Sequence, residues 1–123
     1  MRRILVIDDE AGIRDVLSLL LTDEGYEVRT AADGAEGMRL ADEFGPHLVI
    51  TDLVMPGQEG IETIARLRKA SKDVRIVAIS GFASQGHDYL RTAKVIGASA
   101  TVAKPIDYDT FLPLIRDILG LAK

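Results

Sequence analysis

Five side chains able to do chemistry each stand directly after a short apolar run. Asp8 and Asp9 follow ILVI, Asp52 follows LVIT, Ser80 follows VRIVAI and Lys104 follows ASATVA. Three carboxylates drawn together repel one another and require a cation. Hard oxygen donors in a pocket that keeps some water suit magnesium, or manganese in its place. A carboxylate can attack phosphorus and form an aspartyl phosphate. A metal and a lysine neutralise charge on the transferring oxygens, and a serine hydroxyl donates to one of them. Singly, each residue has a plainer use: an acidic pair caps a helix, a serine does the same, and Lys-Pro makes a turn. Those plainer uses would have to coincide at four separate strand ends.

The elements that must position these groups are legible as hydrophobic periodicity. Ile4–Ile7, Leu48–Thr51 and Val74–Ile79 are near-continuous apolar runs, expected for strands buried on both faces. Tyr26–Thr30 and Ala98–Ala103 complete a set of five. Between them lie helical patterns: Ile13, Val16, Leu17, Leu20 and Leu21, ended by Gly25; a second helix capped by Asp33 with Glu36 in capping-box spacing, stopped at Gly45-Pro46; and Ile61, Ile64 and Leu67. A weaker pattern covers 84–96. Phe111, Leu114, Ile115 and Ile118 mark the last helix, with Asp107 or Asp109 as cap and Pro113 pointing to a late start or a bend. Strict alternation of five strands and five helices implies an α/β, doubly wound, parallel sheet in the flavodoxin-like order 2-1-3-4-5. In that order strands one, three, four and five are neighbours. Ligands bind at the carboxyl ends of such strands, near the switch in order, so the five polar groups should converge.

Composition bounds the alternatives. The chain has 123 residues, 47% hydrophobic and 28% charged, the profile of one packed domain. It has no cysteine, which removes disulfides and thiolate metal sites. With 19 acidic and 15 basic residues the net charge is −4, so no basic field favours direct nucleic-acid binding. No apolar run has membrane-spanning length, and the four apolar residues after Met1-Arg2-Arg3 are too few for a signal-peptide core. A cytoplasmic protein is expected. His47 and His87 lack partners at ligand spacing and read as structural or exposed. Arg2 and Arg3 read as a solvated edge, and Met55 as packing.

The motifs ILVIDDE (4–10), TDLVMPGQEG (51–60), ISG (79–81) and AKP (103–105) resemble the receiver domains of two-component response regulators, chemotaxis-type members included, over nearly the whole chain. The resemblance implies one receiver domain over 1–123. It implies a phosphoryl group taken by Asp52 from a sensor histidine kinase or histidine phosphotransfer protein. It further implies magnesium held directly by Asp9, Asp52 and the backbone carbonyl of Val54, and through water by Asp8. Ser80 would be the switch hydroxyl and Lys104 the phosphate-binding lysine. Pro56, Gly57 and Gly60 would shape the loop after the acceptor, and Pro105 would follow a cis peptide bond. Such a protein is a signalling switch, catalysing only its own phosphorylation and dephosphorylation, that signals to a partner or output domain.

The chain departs from the family pattern at several places. Thr101 stands where an aromatic switch residue is frequent. The stretch from Ser80 to Lys104 is about two residues longer than in compact members, around GFASQGHD. Val54 and Phe82 are apolar where polar residues are frequent, which should slow hydrolysis of the phosphorylated form. Three rival functions fit less well. A flavodoxin-like FMN carrier needs a Ser/Thr/Gly-rich phosphate loop where this chain has Asp8-Asp9-Glu10. A haloacid-dehalogenase-type phosphatase needs an aspartate where Val54 stands. A pseudo-receiver would not need the full acidic set with Ser80 and Lys104.

Overall fold

The structure, a computed structural model, describes residues 1–53, 60–80 and 97–120. Five parallel strands, β1 (Arg3–Ile7), β2 (Glu27–Ala31), β3 (Leu48–Asp52), β4 (Arg75–Ser80) and β5 (Ala100–Ala103), form one sheet in the order β2-β1-β3-β4-β5. The described helices are α1 (Ala11–Asp23), α2 (Gly34–Phe44), α3 (Gly60–Ala70) and α4 (Tyr108–Ile118). This is the flavodoxin-like, doubly wound fold that the alternation implies. The helix expected over 84–96 lies outside the described residues.

Successive strand residues face opposite sides of the sheet, so continuous apolar runs build two cores. Leu5, Ile7, Val49, Ile76 and Ala78 meet Ile64 and Leu67 of α3 and the partly buried Met38 and Ala41 of α2. Ile4, Val6, Leu48, Ile50, Val77 and Ile79 meet Leu17 and Leu21 of α1 and Phe111 and Ile115 of α4. The inward stripe of α1 is Ile13, Leu17 and Leu21, four residues apart. Val16, expected inward, sits on the flank and is 40% exposed.

The helix ends follow local chemistry. Asp33 accepts the Glu36 N–H (2.8 Å), and the Glu36 carboxylate accepts the Ala32 N–H (2.8 Å), a reciprocal cap displaced by one residue. Asp107 caps α4 by accepting the Asp109 N–H. That helix begins at Tyr108 and runs through Pro113, so the late start is not found. Pro113 is exposed, and the carbonyl it leaves without an N–H partner faces water.

Arg3 is more than a solvated edge. Its N–H donates to His47 Nδ1 (2.9 Å), its Nε donates to the Gly45 carbonyl (2.9 Å), and its carbonyl accepts the His47 N–H. Accepting at Nδ1 requires a neutral ring. Burial first, and then the charges of Arg3 and Arg2, hold His47 below its ordinary value. The unfolded chain therefore binds this proton more readily, so stability present above the ordinary histidine range is lost as pH falls through the folded value. The thermal midpoint should drop between about pH 7 and pH 5, and drop less in His47→Gln. Equal slopes in the two proteins would show that His47 is not the titrating group.

Gly60 opens α3 against the end of β3. A Cβ there would collide with the Asp52 carbonyl oxygen and the Leu53 Cα. Both are backbone atoms and have no rotamer into which to retreat. Gly60→Ala should cost about 1–3 kcal/mol of stability, as overpacking does, and should displace the end of β3. Denaturant unfolding with no loss would show that the loop absorbs the methyl group.

Candidate functional site

The parallel register brings the polar groups to one end of the sheet. Ile7 pairs with Thr51, Asp52 with Ile79, and Ser80 with Ala103. The residues at or just beyond these positions are Asp8, Asp52, Ser80 and Lys104. Backbone bonds extend each junction past the ladder: Asp8 N–H to the Ala31 carbonyl, Leu53 N–H to the Ile79 carbonyl, and Lys104 N–H to the Ser80 carbonyl (2.7 Å). The Lys104–Pro105 peptide bond is cis, as the resemblance implies.

Lys104 Nζ sits among three carboxylates, 2.6 Å from Glu10 Oε1 and 3.2 Å from both Asp52 Oδ2 and Asp8 Oδ2. The Asp8, Asp52 and Lys104 side chains are 2%, 6% and 13% exposed, whereas that of Glu10 is 59% exposed. Burial alone would lower the lysine, but the hydrogen bond to Glu10 and the charges of Asp52 and Asp8 outweigh it and raise it. Burial pushes the Asp8 carboxyl up, and the Glu10 N–H and the Lys104 charge offset this only in part.

Carboxylate oxygens of Asp8, Glu10 and Asp52 lie within 4.8 Å of one another, a spacing that one metal ion can bridge. Two details fit a cation and a phosphoryl group. Asp8 Oδ2 is buried and, among the described residues, accepts no well-directed hydrogen bond, despite its ion pair with Lys104. Ser80 Oγ is buried with no hydrogen-bond partner among the described residues. A buried hydroxyl left unpaired is costly, and a phosphoryl oxygen would satisfy it.

Of the expected residues, Asp8, Asp52 and Lys104 converge, and Ser80 ends the strand beside that of Asp52. Asp9 is exposed and outside the carboxylate grouping. Val54, Pro56, Gly57 and Phe82 lie outside the described residues. Glu10 was not foreseen. The plain capping use of the acidic pair is not found: Asp8 Oδ1 accepts the Glu10 N–H (2.9 Å) in a local turn before α1, whose N-cap is Glu10 and carries no side-chain cap. Thr101 is half-buried on β5. Among the described residues, no helix is long and apolar enough to cross a membrane.

Residues 4–116 match the response regulator receiver domain family. Sporulation initiation phosphotransferase F of Bacillus subtilis is 30% identical over 97% of this chain and 94% of its own length. Transcriptional regulatory protein PdtaR of Mycobacterium tuberculosis is 39% identical over 94% of this chain, which spans 55% of that regulator. Among solved structures, a CheY-like receiver domain protein from Methanospirillum hungatei aligns with a TM-score of 0.90, at 29% identity over 97% of this chain and 94% of its own. The response regulator TrrA from Thermotoga maritima, in complex with Mg(2+)-BeF, aligns at 0.85, with 33% identity over 96% and 99%. Receiver domains accept a phosphoryl group with magnesium and work with histidine kinases and output domains. The chain belongs to this response regulator receiver family, the phospho-accepting module of two-component signalling.

Proposed function

We propose that residues 1–123 form one receiver unit in which Asp52 accepts a phosphoryl group from a histidine kinase or histidine phosphotransfer protein. The observation that carries the reading is the convergence of Asp8, Asp52 and Lys104 around one point, with the Ser80 hydroxyl, unpaired among the described residues, at the next strand end. The Asp52 carboxylate attacks phosphorus as the bond to the donor nitrogen breaks, and the imidazole leaves. Lys104 pairs with a phosphoryl oxygen, and Ser80 donates its hydroxyl to another. Asp9 and Asp52, with the Val54 carbonyl, would hold magnesium directly, and Asp8 would hold it through water. Bound there, it offsets the charge on the carboxylates and on the transferring oxygens. The unit is a cytoplasmic switch whose only turnover is its own phosphorylation and dephosphorylation. Its partners are proteins, not nucleic acid or membrane.

Incubation with acetyl phosphate and magnesium should add one phosphoryl group, mapped by borohydride reduction and peptide mass to Asp52. Labelling on another aspartate, or none, would refute the reading. Asp9 is tested separately. Loss of an outer-shell partner weakens metal sites about tenfold or more, and loss of a direct ligand should do at least as much. Asp9→Ala should therefore bind magnesium at least that much more weakly, although Asp9 is exposed here. An unchanged affinity would remove it from the ligand set.

A further inference from the structure

Glu10 occupies the N-cap of α1, a position that favours Ser, Thr, Asp or Asn, and its side chain makes no capping hydrogen bond. Instead it accepts from Lys104 Nζ at 2.6 Å, the shortest of that lysine's three carboxylate contacts among the described residues. Its own backbone is fixed, because Asp8 Oδ1 accepts its N–H and the Asp8 carbonyl accepts from Arg14 Nη1 at 2.7 Å. Only the outer part of the Glu10 side chain, largely in solvent, has room to move.

We propose that Glu10 is a positioning residue, the counter-ion that keeps Lys104 at the mouth of the pocket when a divalent cation takes Asp8 and Asp52. The inference rests on the site reading above. In the resting protein the ammonium occupies the point between Asp8 and Asp52, where a dication would compete with it. Two cations cannot share those oxygens, so the ammonium must withdraw. The lysine stem is flexible enough to do so. With Glu10 present, withdrawal retains one strong ion pair, and the ammonium stays within reach of an incoming phosphoryl oxygen. Without Glu10, withdrawal means moving into water with no partner. The lysine then contests the cation's place.

Titration with magnesium alone, followed by calorimetry, tests this through a double-mutant cycle. Glu10→Gln should weaken magnesium binding about fivefold, the scale of one partly exposed ion pair. In a Lys104→Met background the same substitution should change it less than about twofold, because no ammonium remains to be displaced. Glu10→Asp keeps the charge but is one methylene shorter, so it should behave like Glu10→Gln. If Lys104→Met does not fold by circular dichroism, Lys104→Gln takes its place. A Glu10→Gln loss that persists undiminished without Lys104 would make Glu10 a direct ligand and overturn the proposal. So would the absence of any loss, or wild-type behaviour in Glu10→Asp, which would reduce the effect to a general field. Asp8→Asn, measured alongside, separates the two levels. If it binds magnesium like wild type, the site reading itself has failed. If it loses binding while the cycle shows no coupling, only the role of Glu10 has.

Discussion

Asp52→Ala is expected to take up no phosphoryl group from acetyl phosphate under conditions that label the wild type fully. Other carboxylates stand close by, so the expectation is not trivial. Asp8 is as buried as Asp52, and both lie 3.2 Å from Lys104 Nζ. Position separates them. Asp8 Oδ1 is committed to the Glu10 N–H, and Asp8 lies next to β2, away from Ser80. Asp52 ends the central strand, paired through the ladder with Ile79, the residue before the Ser80 hydroxyl. Asp52 thus combines the lysine contact with a place on the strand next to the one that Ser80 ends. Losing the nucleophile removes the covalent route altogether rather than scaling its rate. Intact mass after incubation checks it, and undiminished labelling of the variant would remove Asp52 as acceptor.

Asp8→Asn should weaken magnesium binding about tenfold or more while raising the stability of the metal-free protein. The Asp8 carboxylate is buried, shares its surroundings with Asp52 and Glu10, and has an oxygen with no well-directed hydrogen bond among the described residues. Its proton affinity is raised above the ordinary carboxylate range, chiefly by burial. A carboxyl raised on folding contributes stability below its unfolded value and loses it as pH rises through the folded value. At neutral pH the charge therefore opposes folding. The neutral amide removes that charge, keeps an oxygen for the Glu10 N–H, and should add about 1–2 kcal/mol, typical when a functional site is relieved of strain. Urea unfolding without metal should show a higher midpoint, and the gain should shrink as pH falls and the wild-type Asp8 carboxyl takes up its proton. A lower midpoint at neutral pH would show that the Lys104 pair outweighs the burial of the charge.

The sheet order and most of the site were legible because one pattern encodes both. A strand buried on both faces reads as a continuous apolar run, and the polar residue that ends it marks the rim. Asp52, Ser80 and Lys104 were therefore placed by where apolarity stops. Glu10 carried no such mark. It looks like any acidic residue at a helix start, and its partner lies 94 residues away, beyond the reach of local pattern. The lock between Arg3 and His47 was hidden for the same reason: its bonds span 42 and 44 residues. Val16 was misplaced because a stripe of period 3.6 drawn through five apolar residues is wider than the one α1 buries. Pro113 suggests a late start or a bend because sequence does not show that the residue will sit on the exposed side of the helix.

The parallel ladder also has a kinetic consequence. Each parallel pairing requires a crossover to close, and the acid–lysine cluster requires both ends of the chain. Contacts of such sequence separation form late and slowly compared with helical ones. The cation's carboxylates come from the ends of β1 and β3, so magnesium has nothing to bind until that long-range pairing has closed, late in folding. Metal added during refolding should leave the folding rate nearly unchanged and slow unfolding instead. At one hundred times its dissociation constant, it would add about 2.7 kcal/mol to the native state by mass action alone.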